Sequence, residues 1–394
     1  MIGSGRTERL AAVLGCTFLF VLPITHTVAI RTVSLGLLVL CAGYVWWRER
    51  PPLPPRSLLI AMAAWAGVAA ATLLWTIDFE YSQGEFRNEV VYPIVAFLTF
   101  YALTPDEGRW RLWVRALTLS AALIAVYAFV NFYRHADWYT KAYVGDRNAY
   151  STYATLVAPV LLAALLDRAL GARWRLAAAV TLVLTLGAGA LTQNRMMWIA
   201  LLIAALVLLA TRFSWRAASG GAKTAAVAAV IALAAAGGTQ LAVVSAGKGH
   251  TSATSLAARL EADPRFGIWA YAVERAAERP WLGYGYGRGI LRKDFRAKFE
   301  GNLLNWHAHS LVLNTAMGGG IVLTAALVAL LATLAVALGR RRAVRPCAFA
   351  LAVLVAAIAK SLTDDVLIRE NSLLLWALAG MAMGVAARAR LTPR

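Results

Sequence analysis

Charge is scarce in these 394 residues: Asp, Glu, Lys and Arg together make up 15% of the chain, against 60% hydrophobic types. The mean hydropathy is +0.63. A water-soluble chain of this length would have too little polar surface, so its solvent is lipid. Cysteine is nearly absent. Cys16, Cys41 and Cys347 all lie inside apolar runs, which argues against both a disulfide framework and a thiolate metal site. Only five histidines occur, with no Asp-x-Asp pair and no His/Asp spacing that would place a divalent cation, so no metal is expected. No repeat of fixed period and no low-complexity linker divides the chain, and one membrane domain over 1–394 is the expectation.

What is abundant is apolar sequence in segments long enough to cross a hydrocarbon core of about 30 Å, and in lipid only a helix satisfies its own backbone. The runs at 9–28, 31–47, 57–76, 89–104, 111–131, 149–166, 174–192, 196–212, 223–244, 308–338, 346–361 and 371–388 predict an all-α polytopic membrane protein of about twelve transmembrane helices. Basic residues give the orientation, because Lys and Arg in short loops stay on the cytoplasmic side. With a cytoplasmic N-terminus, that side holds 21 of the 39 Lys and Arg but only five of the 20 Asp and Glu, a net +16 against +3 opposite. Both termini are therefore expected in the cytoplasm. The overall charge of +19 then reflects topology and anionic lipid headgroups, not nucleic acid.

The one large extramembrane piece is the loop 245–306, expected on the non-cytoplasmic side. It reads as short amphipathic helices at 254–260, 265–278 and 289–299; in the middle one Phe266, Trp269, Ala270 and Val273 share a face. Transporters and pumps usually carry ionisable groups at the membrane midplane. Here such groups gather at the non-cytoplasmic ends instead: Glu85, Arg87 and Glu89; Asp146, Arg147 and Asn148; Asn194 and Arg195; Arg265; His307 and His309; Asp364, Asp365, Arg369 and Glu370. A site at one face fits an enzyme acting on a lipid-linked substrate.

Arg195 stands in a short outer turn, GALTQNRMMWIALL, against the charge bias. It either snorkels to headgroup phosphates or holds a phosphate in bidentate geometry. Arg265, one turn ahead of Trp269, reads more readily as a solvated face than as an anion ligand. Gly283, Gly285, Gly287 and Gly289 interleave with Tyr284, Tyr286 and Arg288; no strand precedes them and no Gly-Lys-Ser follows, so this is a tight turn whose rings offer sugars a face, not a nucleotide loop. In NWHAHSLVLNTAMGGGIV, His307 and His309 stand where the chain returns to the membrane. On a helix they would point about 200° apart, which argues against a joint metal site.

Taken in order, Asn194-Arg195 after a mid-chain helix, Arg265 ahead of Trp269, the Pro-Trp-Leu-Gly-Tyr-Gly-Tyr-Gly turn, His-x-His-Ser-Leu with Gly318 to Gly320 beyond it, and the acidic loop before a last apolar helix resemble the O-antigen ligase and polymerase superfamily of bacterial envelope glycosyltransferases. The topology match spans the chain, while the sequence-specific part runs from about 192 to 320. The family usually has asparagine where Ser310 follows His309. The resemblance implies a GT-C-like architecture and an O-antigen ligase that moves O-antigen polysaccharide from undecaprenyl diphosphate to the lipid A core, at the periplasmic face of the inner membrane. The same resemblance covers O-antigen polymerases and protein O-oligosaccharyltransferases, and a polyprenyl-linked glycan transporter is the reading from a different class.

The resemblance implies His309 as the base that activates the acceptor hydroxyl, and an imidazole with a pKa near 6.5 suits that task. Arg195 and Arg265 would stabilise charge on the departing diphosphate. Arg147, Asn194, Arg288, Trp269, His307 and Asp365 are the expected substrate-binding residues, with His307 also explained as an interfacial anchor beside Trp306. Direct displacement inverts the anomeric centre. The polyprenyl donor brings its own activation, so no cofactor is expected, and the partners are the donor, the lipid A core and membrane lipids.

Overall fold

A computed structural model describes residues 2–135, 147–212, 264–301 and 306–389, with isolated residues 231, 234, 235, 238 and 239. Among the described residues the chain is helical, with no strand. The helices are α1 (Ile2–Val21), α2 (Val28–Glu49), α3 (Arg56–Ala71), α4 (Phe79–Phe86), α5 (Tyr92–Leu103), α6 (Glu107–His135), α7 (Arg147–Leu166), α8 (Ala172–Leu191), α9 (Arg195–Arg212), α10 (Pro264–Glu278), α11 (Arg292–Lys298), α12 (Leu311–Gly339), α13 (Arg345–Ser361) and α14 (Arg369–Ala389). A helix lies on eleven of the twelve expected spans, and among the described residues seven stretches are both long and apolar enough to cross a membrane. The expected span at 223–244 and the amphipathic helix at 254–260 lie outside the described residues, apart from the isolated positions. The other two loop helices are present as α10 and the shorter α11.

Side-chain pairs fix which helix ends lie together. Asp167, just after α7, takes Arg111 at the start of α6 (2.6 Å) and Arg345 at the start of α13 (3.3 Å). At the opposite end of α7, Asn148 accepts from Asn194 Nδ2 at 3.3 Å. The heads of α7 and α9 and the tail of α13 therefore share one end of the bundle, called the upper end here. α9 packs on α13 through Ala200, Ala204 and Leu208 against Phe349, Ala352 and Ala356.

Two close approaches shape the bundle. In α14, Gly380 and Gly384 form a small-xxx-small face against α5: a Cβ at these positions would lie 2.3 Å from Phe97 O and 2.4 Å from Tyr101 O. Without a hydrophobic drive between helices in lipid, such contact packing is what holds them. α12 is broken at Gly319 and Gly320, where φ reaches +66°. The break frees backbone groups that must be satisfied, and the glycine-tyrosine turn supplies the partners. Tyr284 N donates to Met317 O (2.9 Å), Gly285 N to Gly318 O (2.7 Å), and Ile321 N to Pro280 O (2.8 Å). A Cβ on Gly285 (φ +121°) would lie 2.0 Å from Thr76 Oγ1 on the other side of the turn. The turn is thus wedged between α12 and the segment after α3, where Ser82 Oγ also donates to Tyr286 O at 2.7 Å.

That wedge corrects the expected sugar platform. Tyr284 and Tyr286 are buried. Tyr284 donates to Glu278 at 2.5 Å, and Tyr286 packs edge-on against Phe86. Their rings anchor the turn, because the backbone contacts to α12 leave the side chains facing inward.

Candidate functional site

The site forms where the wedge meets the start of α12. The residues from Trp306 to Ser310 are not helical: Ser310 is extended and His309 has φ +50°. A positive φ on a non-glycine residue is strained and persists only when its surroundings hold it, which is commonest at functional sites. This turn also overturns the expected 200° divergence of the two histidines. Their rings lie 3.9 Å apart, tilted by 34°, with Trp306 edge-on to His307 at 3.9 Å. Helical geometry begins only at Leu311, so the helical wheel did not apply to them.

Asn314, one turn into α12 and buried, organises the turn. Its Oδ1 accepts from Ala308 N (3.0 Å), and its Nδ2 donates to Asp365 Oδ2 (3.1 Å) and lies 3.2 Å from His307 Nδ1. His307 Nδ1 also accepts from His309 N at 2.9 Å. With two N–H groups directed at Nδ1, the proton of neutral His307 belongs on Nε2. Burial pushes the His307 pKa well below its ordinary value, with the His309 and Arg288 charges adding to the effect. His307 is thus a neutral strut with its acceptor nitrogen already occupied, poorly suited to take a proton. His309 is the remaining imidazole, and it stands close enough to Asp364 that a positive charge on its ring would lower the Asp364 pKa. Trp269 completes the support by donating from Nε1 to Ala308 O at 2.9 Å.

The acidic loop after α13 closes the other side. Asp364 forms a 2.6 Å ion pair with the fully buried Lys360. Asp365 turns toward Asn314; burial, with Asp364 and Glu85 adding repulsion, pushes its carboxyl up to about 6 despite Arg288 and the Asn314 hydrogen bond. Arg288 spreads over Trp306 at 4.7 Å. Glu89 comes from a π-helical turn, Arg87–Val91, between α4 and α5. Such turns insert one residue and re-aim side chains. Glu85 and Glu89 are both buried.

Of the residues expected from sequence, His307, His309, Arg288, Trp269 and Asp365 converge here. Arg195 heads α9 at the same upper end, where Asn194 accepts from Met197 N at 3.2 Å as the cap of that helix. Arg265 lies on α10, one turn before the Trp269 contact. The side chain of Arg147 lies outside the described residues. Sequence reading missed Asn314, Ser372, Trp65 and Trp376. A polar residue one turn inside an apolar helix was the available signal for Asn314.

Residues 180–328 match the family model described as O-Antigen ligase, a stretch that holds Arg195, Arg265, Arg288, His307, His309 and Asn314. No curated protein was found to match the chain. This match lies on the same motifs that the fold gathers at one end of the bundle, so over residues 180–328 the chain is similar to the O-antigen ligase family.

Proposed function

We propose that this protein is an O-antigen ligase that transfers O-antigen polysaccharide from undecaprenyl diphosphate to the lipid A core oligosaccharide at the periplasmic face of the bacterial inner membrane. The observation that carries the reading is the pairing of a strut histidine with a second, strained histidine beside an acidic loop, inside the stretch matching the ligase family. His309 takes the proton of an acceptor hydroxyl as that oxygen attacks the anomeric carbon. The bond from that carbon to the phosphate oxygen breaks, its electron pair leaves with undecaprenyl diphosphate, and configuration inverts. Arg195 and Arg265, with Arg147, bind the diphosphate and stabilise the charge it gains, so the reaction runs without a metal. Asp364 lies close enough to stabilise the imidazolium that forms. Arg288, among Glu85, Glu89 and Asp365, serves the histidine side of the site.

A deletion strain tests this. Loss of a ligase leaves a bare lipid A core while polymer accumulates on undecaprenyl diphosphate. Core carrying a single repeat would instead identify a polymerase, intact lipopolysaccharide a protein transferase, and substrate movement without transfer in reconstituted vesicles a transporter.

A further inference from the structure

Beneath the histidine turn, between α3, α12 and α14, lies a cavity of about 40 Å³ lined by Trp65, Glu89, Arg288, Asp365, Ser372 and Trp376 among others. One water needs about 10–15 Å³ of such space, so the cavity suits a few waters or a small substituent, not a whole sugar ring. Three of its lining residues keep a buried polar atom without a hydrogen-bond partner: Glu89 Oε1, Asp365 Oδ1 and Ser372 Oγ. These residues are only 8%, 5% and 1% exposed. Buried polar groups are normally satisfied, so three orphans lining one cavity call for a ligand that brings hydrogen-bond donors. Asn314 already holds Asp365 Oδ2, which leaves Oδ1 as the available acceptor. Trp65 and Trp376 stack at 6.3 Å and 14° and add apolar wall. Three buried carboxyls, Glu85, Glu89 and Asp365, crowd around Arg288, which leaves little positive charge for a diphosphate to meet.

Hydroxyl donors matched to carboxylate acceptors, beside an apolar wall, describe the hydroxymethyl arm of a sugar. We propose that this cavity is an acceptor subsite, taking the hydroxymethyl group of the acceptor's terminal sugar, with its single O–H shared between Glu89 Oε1 and Asp365 Oδ1 and its CH₂ resting on the indole wall. The acceptor is assigned in preference to the donor because the cavity lies beside the base and is lined by carboxyls instead of the cations that the donor's phosphates need. This assignment rests on the glycosyl-transfer reading above. The subsite would hold the acceptor ring so that its attacking hydroxyl faces His309.

The test uses the full chain in lipid nanodiscs, with a polyprenyl-diphosphate-linked glycan as donor and lipid A core acceptors ending in a hexose or in its 6-deoxy counterpart. Wild-type protein should show a KM for the deoxy acceptor raised about tenfold or more, the usual scale for one lost hydrogen bond to a charged group. Asp365→Asn and Glu89→Gln should raise the KM of the hexose acceptor by a similar factor, leave the donor KM unchanged, and cease to distinguish the two acceptors. Ser372→Val, which narrows the cavity without removing a carboxylate, should act the same way while thermal unfolding stays at the wild-type temperature. Equal KM values for the two acceptors with wild type, or a rise in donor KM alone, would overturn the subsite while leaving the ligase reading intact. Absence of transfer by wild-type protein to either acceptor would overturn both.

Discussion

Asn314 is the most exposing single perturbation. Replacing it with leucine keeps the volume but removes three contacts at once. The Ala308 N–H, on a residue with no exposure, loses its acceptor. Asp365 Oδ2 loses its donor while Oδ1 already lacks one. Each newly orphaned buried group costs about 1–3 kcal/mol, so the turn from Trp306 to Ser310 is destabilised by about 2–6 kcal/mol. That is enough to release His309 from its strained backbone, and transfer by Asn314→Leu should fall at least about a hundredfold at every pH. Asn314→Asp separates geometry from charge. Its carboxyl would face Asp365 Oδ2 at about the present 3.1 Å, and two charges at that separation repel by about 5 kcal/mol at an effective dielectric of about 20. With Asp365 already pushed up to about 6, the pair keeps one proton at neutral pH, and that proton can stand in for the lost N–H. Activity relative to wild type should therefore be substantial near pH 6–7 and decline toward pH 9 as the shared proton leaves. The assay is turnover at saturating donor and acceptor across this range. Wild-type turnover in Asn314→Leu, or a pH profile of Asn314→Asp parallel to that of wild type, would refute the role given to Asn314.

His309→Ala should lower turnover by about 10² to 10⁴ with donor binding preserved, the usual range for a lost base, and His307→Ala should be milder; the reverse order, read from single-turnover kinetics, would move the base to His307. Alanine at Arg195 or Arg265 should abolish ligation at normal membrane levels of the protein, with lysine rescuing poorly if the contact is bidentate; full O-antigen attachment in an Arg195→Ala strain counts against the diphosphate role. Gly320→Ala forces a Cβ to 2.2 Å from Trp281 O at φ +66°, so the wedge should detach and the protein yield in membranes should drop; normal yield and activity would show that the break in α12 tolerates a side chain.

Local properties of the chain were readable without a fold. Hydropathy and basic-residue bias are summed over short windows, and a helix in lipid satisfies its own backbone, so the run at 346–361 predicts a helix and α13 lies there. The motif stretch matched by the family was legible for the same reason: Arg195, Arg265, His307 and His309 stand in short contiguous patterns. The tertiary structure decided what depends on contact between distant segments. Glu89, Asn314 and Asp365 are far apart in sequence, and only the packing of α3, α12 and α14 brings them to one cavity. The histidine pair read as helical because sequence periodicity continues into α12, yet the hydrogen bonds of Asn314 hold the turn outside the helix and stack the two rings. The glycines at 283–287 and 318–320 looked like two separate features. They are one joint, since a break in a lipid-embedded helix leaves backbone groups that another piece of backbone must satisfy.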